Sequence, residues 1–66
     1  MPKTLEELAT MIAQRDSISE NEAMAVIRDA AAEMEMAFYN GSLEGAEDIL
    51  RTELGLEPDY LDLFIF

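Results

Sequence analysis

The sequence predicts an all-α fold: a small three-helix bundle with a short fourth C-terminal helix or helical turn, in a single domain over residues 1–66. Three observations predict it. Apolar residues recur at spacings of three and four along three segments, as they do on one face of an α-helix. A residue suited to capping a helix stands before each segment. No segment shows the alternating pattern and turn signals of paired strands.

The first helix is predicted over residues 5–14. Thr4 and Glu7 have the spacing of a capping box, in which the Thr4 hydroxyl accepts from the Glu7 amide and the Glu7 carboxylate accepts from the Thr4 amide. The polar connection after this helix contains no Gly or Pro. The residues expected to face the core share the 3–4 spacing: Leu5, Leu8 and Ile12.

The second helix is predicted over residues 20–39, a stretch without helix breakers that is rich in alanine, the best helix former. Ser19 and Glu22 repeat the capping-box spacing, and Asn40-Gly41 suits a left-handed helix end. The expected core stripe is Ala23, Ile27, Ala30, Met34 and Phe38. The far side is interpreted either as a solvated face or as a second packing surface, and it carries Ala25, Ala32 and Met36.

The third helix is predicted over residues 43–54 with Ser42 as its N-cap. Gly55, with apolar Leu56 directly after it, fits a helix end closed by a left-handed glycine. The inward-facing stripe is expected to consist of Leu43, Ala46, Leu50 and Leu54.

The last segment is predicted to form a short helix over residues 58–64, because proline is favoured at the first helical position. An extended tail is the alternative. We expect the tail to add Tyr60, Leu61 and Phe64 to a thin core, so that a chain ending at Glu57 loses several kcal/mol. Two further residues are expected to form an exposed apolar spot rimmed by acids: Leu63 and Phe66.

The residue types exclude most catalytic chemistry. Fifteen acids stand against four bases, for a net charge of −11, and the chain has no Cys or His. This excludes disulfides, thiol chemistry and the usual zinc ligands. Carboxylate pairs arise by chance here, and a small bundle has little interior in which to shift their pKa values. Residues 57–62 lack the pattern of a calcium loop. We therefore expect no catalytic residues, cofactor or metal, and no enzyme.

The helix pair joined at Asn40-Gly41 has the layout of a helix-turn-helix DNA reader, but its charge is wrong for one. In the recognition position, phosphates would meet only acids: Glu44, Glu47, Asp48 and Glu53. Direct binding to nucleic acid is therefore rejected. Anionic lipid surfaces would also repel the chain, and its longest uncharged apolar run, residues 63–66, falls far short of a bilayer span. With no secretory signal at its start, we expect a cytoplasmic protein.

The charge is asymmetric: residues 1–15 are neutral, and residues 16–66 carry the whole net charge. The leading hypothesis is a small, non-enzymatic protein-interaction module that docks on a basic partner through an acidic surface, the apolar C-terminal patch, or both. One alternative is a nucleic-acid mimic that occupies a basic DNA-binding groove, and another is a structural homodimer. The expected partner-binding residues are Glu44, Glu47, Asp48, Asp59, Asp62, Leu63 and Phe66.

Overall fold

Within residues 1–64, three α-helices and a short 3₁₀ helix follow one another. The computed structural model describes residues 1–64, so the part of the predicted tail spot contributed by Phe66 lies outside the described residues. The elements are α1 (Leu5–Asp16), α2 (Glu20–Tyr39), α3 (Leu43–Leu54) and a C-terminal 3₁₀ helix (Pro58–Leu63). No strand occurs within residues 1–64. The all-α bundle is confirmed, with α1 two residues longer than predicted and the fourth helix of the 3₁₀ type.

Side-chain caps start the helices where the sequence predicts them. The Thr4 hydroxyl accepts from the Glu7 amide at 3.1 Å, and the Ser19 hydroxyl accepts from the Glu22 amide at 3.0 Å. The return bonds differ from the predicted capping boxes. The Glu7 carboxylate accepts from the Lys3 amide at 3.3 Å rather than from Thr4, and the Glu22 carboxylate accepts from the Ser19 hydroxyl at 3.2 Å. Each cap still satisfies a backbone donor that the helix itself leaves free.

Left-handed residues end the helices. Gly41 has φ +72° after α2, and the Ser42 amide there donates to the Ala37 carbonyl at 2.9 Å, which is the bond that closes a Schellman motif. Asn40, the other residue suited to this role, stays at φ −87°. After α3, Gly55 has the predicted left-handed conformation with φ +65°, and the Leu56 that follows it is buried.

The end of α1 uses the same closure without a glycine. Ser17 takes φ +57°, and the Ile18 amide donates to the Ala13 carbonyl at 3.0 Å. An L-residue with a Cβ pays a steric cost in this conformation. Half-buried Ile18 packs against the core beyond it, so the connection is held by burial as well as by its hydrogen bond.

The core lies where α2 packs against α1 on one side and α3 on the other, with the 3₁₀ helix against α3. Two predicted core residues, Leu5 and Phe38, are only half-buried at its edge. Leu43 contradicts the prediction, because it is 56% exposed. It is the first residue of α3 and lies one turn before buried Ala46, so burial along this stripe begins only at Ala46. The largest fully buried side chains are Leu8, Ile12, Ile27, Met34, Leu50, Leu54 and Phe64.

The C-terminal segment packs against the bundle, and this confirms part of what the sequence predicts for it. Leu61 and Phe64 are buried, and the half-buried Tyr60 places its hydroxyl 3.9 Å from Met11 Sδ on α1. Leu63 is also half-buried against the core, so the predicted exposed spot is wrong for this residue. The reason is the helix type. A 3₁₀ helix has three residues per turn, so positions 61 and 64 form one row and positions 60 and 63 form a second.

Candidate functional site

A shallow groove runs along one flank of α3. Its volume is about 510 Å³, and it is lined by Ser42, Glu44, Gly45, Glu47, Asp48, Arg51 and Pro58. We call it the α3 groove. It brings together three of the predicted partner-binding residues, all of them acidic. Its one base, Arg51, forms an ion pair with Asp48. Both side chains of this pair are more than half exposed, so the pair is screened by water and stabilises the fold little.

Helix geometry explains why these side chains meet. Glu44 and Asp48 are four residues apart, as are Glu47 and Arg51, so they form two adjacent rows on the helix surface. Because one base faces three acids, the groove keeps a net charge of −2 (1 − 3). Arg51 pairs with Asp48, so the charges of Glu44 and Glu47 are not neutralised within the groove.

Gly45 lets the start of α3 approach α2 closely. The Ser42 hydroxyl accepts from the Gly45 amide at 3.0 Å. A Cβ on residue 45 would lie 2.8 Å from that hydroxyl oxygen and 3.4 Å from the Ala37 Cβ of α2. A larger residue would therefore displace the N-cap or push α3 away from α2. The cap and the close approach together hold the groove residues in place.

The other predicted partner-binding residues do not join the groove. Asp59 and Asp62 are exposed on the 3₁₀ helix, three residues apart and therefore in one row. Among the residues that the structure describes, the groove takes only Pro58 from this helix. Leu63 packs against the core, and Phe66 lies outside the described residues. The predicted acids are thus divided between two places on the surface, and Leu63 belongs to neither.

A second group of acids, not predicted from the sequence, lies at the seam between α2 and α3. A hydrogen bond with Glu33 raises the pKa of Glu53, and desolvation and the negative charges of Glu33 and Asp29 raise it further. These groups therefore repel one another when all are ionised. Two of them stand four residues apart on α2, which was the available signal, but their meeting with Glu53 depends on how α3 packs. No three acids among residues 1–64 are arranged to hold a metal ion.

A third group of acids lies in a depression lined by residues of α1 and α2, among them Glu6, Glu7 and Glu20. The three groups do not form one row. Glu44 and Glu53 are nine residues apart, which at about 100° per residue puts them on opposite sides of α3. A nucleic-acid mimic requires a continuous double row of charges, and this distribution does not favour it.

The base at the end of α1 is engaged inside the chain. The Arg15 guanidinium bonds both carboxylate oxygens of Asp16, with distances of 2.8 and 2.9 Å, which lowers the pKa of Asp16. It also lies over the end of α3, 3.5 Å from the point where a Cβ of Gly55 would stand. This base therefore has no part in neutralising the α3 groove.

Large apolar side chains are exposed outside the core as well. Met36 and Tyr39, on the far side of α2, are 65% and 87% exposed, and neither lines the α3 groove. Ala25 and Ala32 on the same side are exposed too. Leu43 differs from these residues in position, since its two chain neighbours, Ser42 and Glu44, both line the groove.

None of the helices within residues 1–64 combines the length and the apolar character that crossing a membrane requires. Comparison of the chain with protein-family models, with curated proteins and with solved structures found no match.

Proposed function

We propose that the protein is a non-enzymatic interaction module that docks on a basic protein partner through the α3 groove. The observation that carries this proposal is the placement of Glu44, Glu47 and Asp48 along one open flank with a single base among them. The cap at Ser42 and the close α2–α3 approach at Gly45 order this flank before any partner arrives. Such preorganisation reduces the entropy lost on binding.

The charge of the chain supports a basic partner. A net charge of −11 on 66 residues creates a field that attracts a positive surface and speeds its diffusional encounter. The same field opposes a homodimer joined through acidic faces. A cytoplasmic setting, expected from the sequence, stays a prediction.

The experiment compares two variants with the same change in net charge. The groove variant is Glu44→Gln/Glu47→Gln/Asp48→Asn, and the control variant neutralises the seam between α2 and α3. In the control, the substitutions are Asp29→Asn, Glu33→Gln and Glu53→Gln. Each tagged protein is used to capture partners from native lysate at low and high salt, and bound proteins are identified by mass spectrometry.

We expect the wild-type protein and the seam control to retain a basic partner that is lost as salt rises, and the groove variant to lose it even at low salt. Exposed charge pairs are screened by salt, so the salt dependence reports a charge-led contact. Equal retention by both variants, or equal loss from both, would show that the groove does not direct the binding.

A further inference from the structure

The turn between α2 and α3 contains the dipeptide Asn40-Gly41, and both residues are exposed. The side-chain carbonyl carbon of an asparagine is an electrophile, and the nitrogen of the next peptide unit attacks it readily because a five-membered ring results. A glycine in the next position lacks the Cβ that hinders this close approach of the backbone. This dipeptide is therefore the place in the chain where such a reaction meets the least steric resistance.

The reaction balances with water as the only co-reactant. The Gly41 nitrogen loses its proton and forms a bond to Cγ of Asn40, the Cγ–Nδ2 bond breaks, and ammonia leaves a cyclic imide behind. Water then adds to one of the two imide carbonyls. Cleavage of the new N–Cγ bond gives aspartate. Cleavage of the original bond to the backbone carbonyl gives isoaspartate, in which the chain runs through the side chain.

The folded turn holds the two reacting groups apart. Asn40 has ψ 6°, so the Gly41 nitrogen nearly eclipses the Asn40 nitrogen, whereas ring closure requires it beside the Asn40 Cβ. The Gly41 amide also donates to the Phe38 carbonyl at 2.9 Å, which makes its proton harder to remove. The bond from the Ser42 amide to the Ala37 carbonyl, also at 2.9 Å, fixes the same conformation. Ring closure therefore requires the turn to open.

We infer that Asn40 is a site of spontaneous modification, which converts to aspartate and isoaspartate through a cyclic imide with Gly41 when the α2–α3 turn opens locally. Connecting turns open at a lower free energy than the core does. Either product changes the net charge from −11 to −12 (−11 − 1). Isoaspartate also adds a carbon to the backbone just before Ser42, the N-cap of α3 and part of the α3 groove lining. The site does not depend on the proposed function, because the reaction needs no partner.

The experiment follows the modification in the full chain, folded and in urea that unfolds it, in mildly alkaline buffer. Peptide mapping by mass spectrometry measures the loss of each asparagine amide and separates the two products. The internal control is Asn21, which is also exposed but is followed by Glu22, a residue with a Cβ. The variant Gly41→Ala is compared in urea, where the strain of a positive φ has no influence.

We expect Asn40 to react faster than Asn21 in urea and to give both products. In the folded protein its rate is lower by at least about tenfold, since each of the two hydrogen bonds that must break shifts the opening equilibrium about fivefold. Gly41→Ala lowers the rate in urea to near that of Asn21. The isolated isoaspartate form melts below Asn40→Asp, which has the same charge and an unaltered backbone.

Contrary outcomes address each step of the inference. Equal rates at Asn40 and Asn21 in urea, or aspartate as the sole product, overturns the reaction through the cyclic imide. Equal rates for Asn40 in the folded and the unfolded protein overturns its protection by the turn. An isoaspartate form that melts like Asn40→Asp overturns the effect of the added carbon on the start of α3.

Discussion

Replacing Phe64 with alanine tests whether the C-terminal segment is part of the core. Phe64 is fully buried, and its amide donates to the Leu61 carbonyl at 2.9 Å, so it is held at the end of the 3₁₀ helix. Removing a buried Phe side chain costs about 3–5 kcal/mol, because the transfer free energy is lost and a cavity remains. Domains have about 0.05–0.15 kcal/mol of stability per residue, which gives a chain of this size about 3–10 kcal/mol.

The variant therefore loses a large part of its stability. For a domain of this size each kcal/mol shifts the Tm by about 4–8 °C, so Phe64→Ala lowers the Tm by at least about 12 °C. Thermal and urea melts followed by far-ultraviolet circular dichroism measure the change. The matched control is Asp62→Ala, an exposed residue of the same segment, for which a change within about 0.5 kcal/mol is expected.

A chain ending at Glu57 extends the test to the whole segment. It lacks two buried side chains, Leu61 and Phe64, and two half-buried ones, Tyr60 and Leu63. The two buried side chains alone contribute about 3–6 kcal/mol at about 1.5–3 kcal/mol each, so we expect this chain to be largely unfolded at room temperature. If Phe64→Ala melts like Asp62→Ala, or the shortened chain melts like the full one, the segment is not part of the core and the reasoning is refuted.

Further predictions concern single positions. Leu50→Ala, at a fully buried site, lowers the free energy of unfolding by about 2–5 kcal/mol, whereas Leu43→Ala, at an exposed site on the same helix, leaves it almost unchanged. Urea melts measure both changes, and equal losses would contradict this difference. Ser17→Gly raises stability by about 0.5–1 kcal/mol because glycine adopts the left-handed conformation without strain, and an unchanged or lower Tm would count against strain at this residue. Gly41→Ala lowers stability by about 1 kcal/mol for the same reason, although its Cβ would meet no atom within 4 Å; a chemical melt as stable as the wild type would disprove this. Glu53→Gln raises the Tm at pH 7. Because the pKa of Glu53 is raised in the folded protein, its ionised form destabilises the fold, and protonation relieves this penalty as pH falls. The gain in Tm from Glu53→Gln therefore shrinks in melts at lower pH. A gain that does not change with pH would contradict the proposed repulsion.

The sequence predicts the grouping of the candidate site residues only where they lie on one helix. Glu44, Glu47 and Asp48 share a flank of α3 because their spacing matches the helix period, and the structure brings them into one groove. The sequence predicts Asp59 and Asp62 in the partner-binding set as the acidic rim of an apolar spot, but they lie in a separate row on the 3₁₀ helix and Leu63 beside them is half-buried. The meeting of Glu53 with the acids of α2 was missed, because no pattern along the chain gives the register between two helices.

Where most of the helices start and stop could be predicted from the sequence, since the interactions that start and stop them are local. Hydroxyl caps at Thr4, Ser19 and Ser42 and the left-handed glycine at position 41 act within a few residues of the chain, and the α2 core stripe follows from the helix period. How far burial extends along each stripe depends on how the helices pack against one another, which the sequence pattern does not give. Leu43 continues the α3 stripe but stays exposed at the first residue of the helix. Leu63 is half-buried because the last segment winds as a 3₁₀ helix against the core. Periodicity specifies a direction around a helix axis, whereas burial also requires a neighbour at that height along it.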